Sequence, residues 1–157
     1  MVVVSLVHKH SIADGIKLPQ DDGIDIISVN SLSFKRYCDL AVVIGKPVTV
    51  VTDNDGSVEK NITERYKDYI ENDLFTFLYE PNNSLQTIEP SIVAVNMKDG
   101  EPTDVFRDII SSKGSMKKKS LDEVLKYMSR HKTEWAMRVF ESDKKINYPE
   151  YLEKAIQ

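Results

Sequence analysis

The spacing of apolar and polar positions changes several times along the chain, and each change marks an element. Residues 24–29 (IDIISV) are a short run rich in Ile and Val, which predicts a buried strand. Over 31–44 the spacing becomes three or four, with Phe34, Tyr37, Cys38, Ala41 and Ile44 on one side. That predicts an amphipathic helix, capped by Ser33 and stopped at Gly45. Residues 47–52 (PVTVVT) predict a second buried strand. A strand–helix–strand run of this kind implies parallel strands joined by a right-handed crossover. Helical spacing returns over 58–72, with Val58, Ile62, Tyr66 and Tyr69 or Ile70 on one face. Residues 74–79 (LFTFLY) predict a third strand, and Leu85–Ile88 a short fourth after the turn Asn82-Asn83-Ser84. Beyond Pro90, which suits a first helical position, the pattern is helical. Ser120-Leu121-Asp122-Glu123 is a capping box opening a helix to about residue 130. Thr133 is the expected cap of a helix carrying Trp135, Ala136, Val139 and Phe140. Pro149 starts a last helix with Tyr151, Leu152 and Ile156 inward.

These elements describe an α/β chain. A parallel sheet flanked by helices is expected over 1–98, with a helical carboxyl-terminal extension over 99–157 packed on it. The 157 residues, 41% of them hydrophobic, make room for one ordinary domain with a real core and rule out wholesale disorder. No apolar run approaches the ~20 residues of a membrane-spanning helix, and the apolar start Met1–Val7 lacks the flanks of a secretory signal. A single cysteine, Cys38, cannot form an internal disulfide, so a reduced, cytoplasmic setting is expected.

Charge is unevenly spread. Residues 1–112 hold 10 Lys/Arg against 18 Asp/Glu, whereas 113–132 hold seven (Lys113, Lys117, Lys118, Lys119, Lys126, Arg130, Lys132) against two (Asp122, Glu123). Such a stretch beside an acidic body can meet a polyanion while the acids hold cations. Taken alone, Lys117-Lys118-Lys119 reads as a solvated loop.

In open parallel sheets ligands sit at the carboxyl ends of the strands, which singles out residues 53–56 and the segment after Ile88. Asp53 and Asp55 follow a Val-rich strand at i and i+2. In extended backbone that spacing turns both carboxylates to one side, where a hard divalent cation such as Mg²⁺ or Mn²⁺ relieves their repulsion. The other reading is a plain polar turn, since Asp, Asn and Gly all form turns. A calcium loop is excluded because its sixth position, which needs Gly, is Val58. Glu89 is either a further ligand or a favourable charge at a helix start. Lys132 either neutralises charge on a phosphate or is a surface lysine. His131 could act as a base or a ligand, although a lone exposed histidine is usually neither. His8 and His10 lack metal-site partners, while Trp135, Phe140 and Cys38 read as packing. The chain has no Walker A loop, dinucleotide fingerprint, zinc-finger spacing or Gly-x-Ser-x-Gly.

Several segments together resemble a known family. Asp22–Val29, Leu32–Tyr37, Lys46-Pro47-Val48 and Thr52–Gly56, followed by Thr87–Val93, Lys132–Ala136 and Lys145–Tyr151, look like the Toprim domain of OLD-family (overcoming lysogenization defect) ATP-dependent endonucleases. The resemblance runs from about residue 18 to the end. It implies a Toprim-like parallel sheet flanked by helices, which binds Mg²⁺ through an Asp-x-Asp pair and cuts or joins phosphodiesters in DNA. In that family the domain follows an ABC-type ATPase domain in a dimeric nuclease linked to phage or plasmid defence. Carried over, Asp53 and Asp55 look like the metal pair, Glu89 like a further acidic ligand, and Lys132 like the lysine that assists cleavage. The chain departs from the pattern at its start. The family's first strand ends in Glu-Gly, with the glutamate a metal ligand, but the first acid here is Asp14. The ATPase domain is also missing, so the resemblance implies a truncated, carboxyl-terminal piece with weak or no cutting of its own. The alternatives are a non-catalytic nucleic-acid-binding or interaction module using the basic stretch 113–132, and, behind it, a receiver-type phosphoryl-transfer domain.

Overall fold

The structure is a computed structural model, and it describes residues 23–29, 34–112 and 114–155. The expected cap Ser33, the inward Ile156 and the segment before Gly23 lie outside the described residues. The chain divides into two compact units. One comprises Ile27–Ile88 with Glu150–Ala155. The other comprises Glu89–Pro149 with residues 23–26, each unit taken over its described residues.

The first unit is built on two strands, β1 (Val48–Val51) and β2 (Phe75–Leu78), paired in parallel with Val48 opposite Phe75 and Val51 opposite Leu78. The helix α1 (Phe34–Ile44) buries Cys38 and Ala41, and Phe34 packs against the same core. Its covered stripe is narrower than the spacing suggests, because Tyr37 and Ile44 remain exposed. Among the described residues the sheet is two strands wide, enough to cover one row of the helix. Gly45 ends α1 at φ 65°, donating to Val42 O, while Lys46 N donates to Ala41 O. These two bonds form a Schellman motif, which favours glycine at the left-handed position.

Between the strands, residues 58–72 bury Ile62, Tyr66 and Tyr69, the face read from the spacing. The segment is less regular than expected, running as a π-helix over Glu59–Glu64 and then as turns to 71. Tyr66 packs on Phe77 with ring centres 5.1 Å apart, and Tyr69 meets Phe75 edge-on at 5.4 Å. The Tyr69 hydroxyl donates to Asp39 Oδ1 at 2.6 Å, and that bond, with burial, pushes its pKa up to about 12. A short helix, α6 (Glu150–Lys154), buries Tyr151 and Leu152 and packs on β2.

Two expected strands are not formed. Residues 24–29 carry no strand, and Ile24 and Ile27 are more than half exposed. Residues 85–88 form bends and the start of a helix. Apolar content alone does not make a strand; it needs a hydrogen-bonded neighbour, and among the described residues β1 pairs only with β2.

The second unit is mainly helical. Its α2 (Ile88–Ala94) buries Glu89, Ser91, Ile92 and Val93. The chain then makes a hairpin, β3 (Met97–Lys98) with β4 (Glu101–Pro102), where the sequence pattern suggested helix. Its two-residue loop, Asp99 (φ 52°) and Gly100 (φ 83°), has the double positive φ of a type I′ turn. Three helices follow: α3 (Asp104–Ile110), α4 (Leu121–Arg130) and α5 (Lys132–Glu141). Thr103 caps α3, and the Ser120/Glu123 capping box opens α4 as read from the sequence. The start of α5 is a correction: Lys132 is already helical and His131, not Thr133, holds the cap position. Phe106, Ile110, Val124, Met128 and Trp135 form the core. Trp135 is fully enclosed, and its indole N–H donates to Met128 O at 3.0 Å.

Buried side chains pair the backbone that the short helices leave unsatisfied. Arg138 donates to Ile109 O (2.9 Å) and Ser111 O (2.7 Å), capping α3. Asn96 exchanges two bonds with the backbone of Asn147 and donates to Ile92 O. Arg107, 5% exposed, donates to Pro102 O (2.9 Å), Met116 O (2.9 Å), Lys119 O and the Glu101 carboxylate (2.7 Å). Replacing it keeps the volume only at the expense of three enclosed carbonyls. Arg107→Met is expected to lower unfolding free energy by about 3 kcal/mol. The exposed Lys117→Ala should change it by less than about 0.5 kcal/mol. Urea titration of the two variants checks the contrast.

Candidate functional site

The loops at the carboxyl ends of β1 and β2 lie side by side, and one residue stitches them together. Thr52 N still donates to Leu78 O at 3.1 Å, and beyond it the ladder stops. There Asn54 is fully buried. Its amide donates to Glu80 O (2.7 Å) and Asn82 O (3.1 Å), and its side-chain oxygen accepts from Gly56 N (2.8 Å). Its own carbonyl accepts from Ser57 N and from the Asn61 amide. Asp55 N donates to Gln86 O at 3.0 Å, and Val58 N to Asn83 Oδ1 at 2.9 Å. Every turn of residues 53–58 is therefore tied to residues 80–86 or to the loop itself.

Asn54 separates the two candidate aspartates. Asp53 is half-buried and Asp55 exposed. The alternation argument does not apply to them, because Asp55 is left-handed (φ 48°) and β1 has already ended at Val51. The backbone turn that carries them is fixed by the buried asparagine between them. Gly56 is also left-handed (φ 84°), and a Cβ there would come within 3.2 Å of the Gln86 side chain. Asn54 was not singled out from the sequence. The signal available was the Asx-turn pattern of an asparagine two residues before a glycine.

Glu89 and Lys132 meet in the second unit. Lys132 Nζ lies 3.0 Å from Glu89 Oε1, with the carboxylate side chain 4% exposed and the lysine 60% exposed. Glu89 stands in the first turn of α2, where a negative charge is favoured. Lys132 stands in the first turn of α5, where a positive charge is disfavoured, so its carboxylate partner offsets an unfavourable position. His131 closes α4 and opens α5. Its ring stacks on Tyr127 at 4.4 Å, with Nδ1 2.9 Å from Tyr127 O. Cys38 is buried, and burial, with the nearby Asp39, raises its thiol pKa, as suits a packing role.

Among the described residues, no three His, Cys, Asp or Glu side chains converge to hold a metal unaided. Two aspartates on one turn are still a donor set of the right chemistry for a hard cation, since Mg²⁺ commonly takes one or two protein carboxylates and completes its shell with water and phosphate. No helix among the described residues is long and apolar enough to cross a membrane.

Comparison with known proteins bears on the first third of the chain. No curated protein and no solved structure matches it. Residues 5–55 match the family model described as Overcoming lysogenization defect protein-like, TOPRIM domain. That match takes in Asp53 and Asp55 and stops before Glu89 and Lys132. The segment 5–55 is thus similar to the OLD-like Toprim domain, and a mixed α/β architecture around a small parallel sheet fits that fold.

Proposed function

We propose that the chain takes part in Mg²⁺- or Mn²⁺-dependent phosphodiester cleavage in DNA, with Asp53 and Asp55 as the metal carboxylates. The observation that carries this reading is the Asp53–Asn54–Asp55 turn, fixed by a buried asparagine at the carboxyl end of a parallel strand. A cation held there would supply Lewis-acid activation of a phosphodiester. Asn54 fixes the backbone of the turn, which limits the reorganisation needed to bring the two carboxylates onto one ion. Lys132 carries an exposed ammonium anchored by an enclosed carboxylate, the form of a group that offsets charge on a phosphate without drifting. Glu89 holds that ammonium and is the further acidic group of the same chemistry.

Mn²⁺ binding followed by electron paramagnetic resonance tests the metal carboxylates. Asp53→Ala and Asp55→Ala are each expected to weaken affinity by about tenfold or more. Unchanged affinity in both would overturn the assignment. Asn54→Ala is expected to weaken it by about tenfold through loss of the turn, with about 2 kcal/mol of stability lost as well. Supercoiled plasmid should be nicked only weakly by this chain, with Mg²⁺ or Mn²⁺ but not in EDTA, and not at all by Asp53→Ala. Lys132→Ala should slow nicking while leaving Mn²⁺ affinity intact. Salt-dependent DNA binding with no nicking under any metal would instead favour a binding module.

A further inference from the structure

We infer that the loop 114–119 and the exposed side of α4 form a docking surface for the sugar–phosphate backbone of duplex DNA. The surface uses none of Asp53, Asp55, Glu89 or Lys132. Only the choice of DNA over another polyanion rests on the phosphodiester reading above.

The lysine run is held in a fixed shape, which a solvated loop would not require. Arg107 reaches it from below, donating to Met116 O and Lys119 O, and Met116 is itself buried. Successive turns close with Ser115 N on Ser112 O, Lys117 N on Gly114 O and Lys119 N on Met116 O, each at 3.2 Å. Met116 points in, while Lys117, Lys118 and Lys119 are exposed. A loop ordered in advance loses less entropy when it binds.

The charges on this surface are only partly matched. Lys119 pairs with Glu123 at 2.7 Å, and Glu123 is further engaged by Ser120, so that acid is spent. Lys117 stands 3.8 Å from Asp108. Lys118, Lys126 and Arg130 are exposed and make no ion pair among the described residues. Lys126 and Arg130 are four apart on α4 and so share one side of it.

The surface also lacks what other partners need. None of the large apolar side chains exposed among the described residues falls within 114–132. A bilayer-inserting face carries such groups, and so does the centre of a protein interface. Binding through charge alone, with no wedge, matches contact with a phosphate backbone.

The test is fluorescence anisotropy with a labelled short duplex in EDTA, across a range of salt. The wild-type chain should bind with strong salt dependence. The triple variant Lys118→Ala, Lys126→Ala, Arg130→Ala should bind about tenfold or more weakly, with the log–log salt slope reduced by about 2.7, roughly 0.9 per lost phosphate contact. Its thermal melt should match wild type, because all three side chains are exposed. Asp53→Ala with Asp55→Ala should bind like wild type in EDTA, so Mn²⁺ affinity and nicking unchanged in that variant would sink the metal assignment and leave the surface standing. Wild-type affinity and slope in the triple variant would overturn the proposal. So would a chain that ignores the duplex and binds phosphatidylserine vesicles.

Discussion

A parallel pair of strands ends in two loops whose backbone groups have no ladder left to join, and such groups cannot be enclosed without partners. Asn54 meets that constraint. One amide side chain offers two donors and an acceptor, and here the donors reach the loop after β2 while the acceptor closes its own turn. Alanine would leave two carbonyls and an N–H unpaired, and leucine would do so while also overfilling the space. Aspartate would lose both donors. The identity of the residue follows from the number and sign of the groups it satisfies, and the positions of Asp53 and Asp55 follow from it.

The same logic recurs in the other unit with a larger side chain. Arg107 has five N–H donors, and four acceptors converge on it from the hairpin and the 116–119 loop. A buried guanidinium costs desolvation free energy, and an apolar replacement is often neutral where no polar neighbours are left behind. Three of the acceptors here are backbone carbonyls that no substitution removes. The guanidinium thus joins the hairpin to the 116–119 loop, adding a second donor to Met116 O and the donor to Lys119 O.

Much of the fold was legible because it rests on local signals. The helix α1 with its glycine stop, the capping box at Ser120, the inward face Ile62–Tyr66–Tyr69 and the strands at 48–51 and 75–78 each follow from a few neighbouring residues. The failures share a cause. Ile24–Val29 and Leu85–Ile88 have strand-like composition, but pairing is a property of two segments, and composition reports only one. Thr133 is a good cap by type, yet α5 begins two residues beyond the end of α4, and the shared His131 leaves it no room to act as one. The hairpin at 97–102 was missed although Asp99-Gly100 is a strong turn signal, because the helical spacing on either side masked it. At the site, the chemical groups were legible and their support was not. Carboxylates and a lysine announce themselves by type, whereas an asparagine in a turn looks like any other until its partners twenty-six and twenty-eight residues away are known.

The Glu89–Lys132 pair shows why such support matters. A lysine in the first turn of a helix works against the peptide dipoles, and a carboxylate with almost no exposure gives up its hydration. The ion pair at 3.0 Å relieves both costs and restrains the lysine, even though most of its side chain faces solvent. On the proposed reading, a cation restrained by a buried partner and open on its other side would meet an incoming phosphate at a nearly fixed point. A free surface lysine would spread the same charge over a volume several ångströms wide and lose side-chain entropy on each encounter.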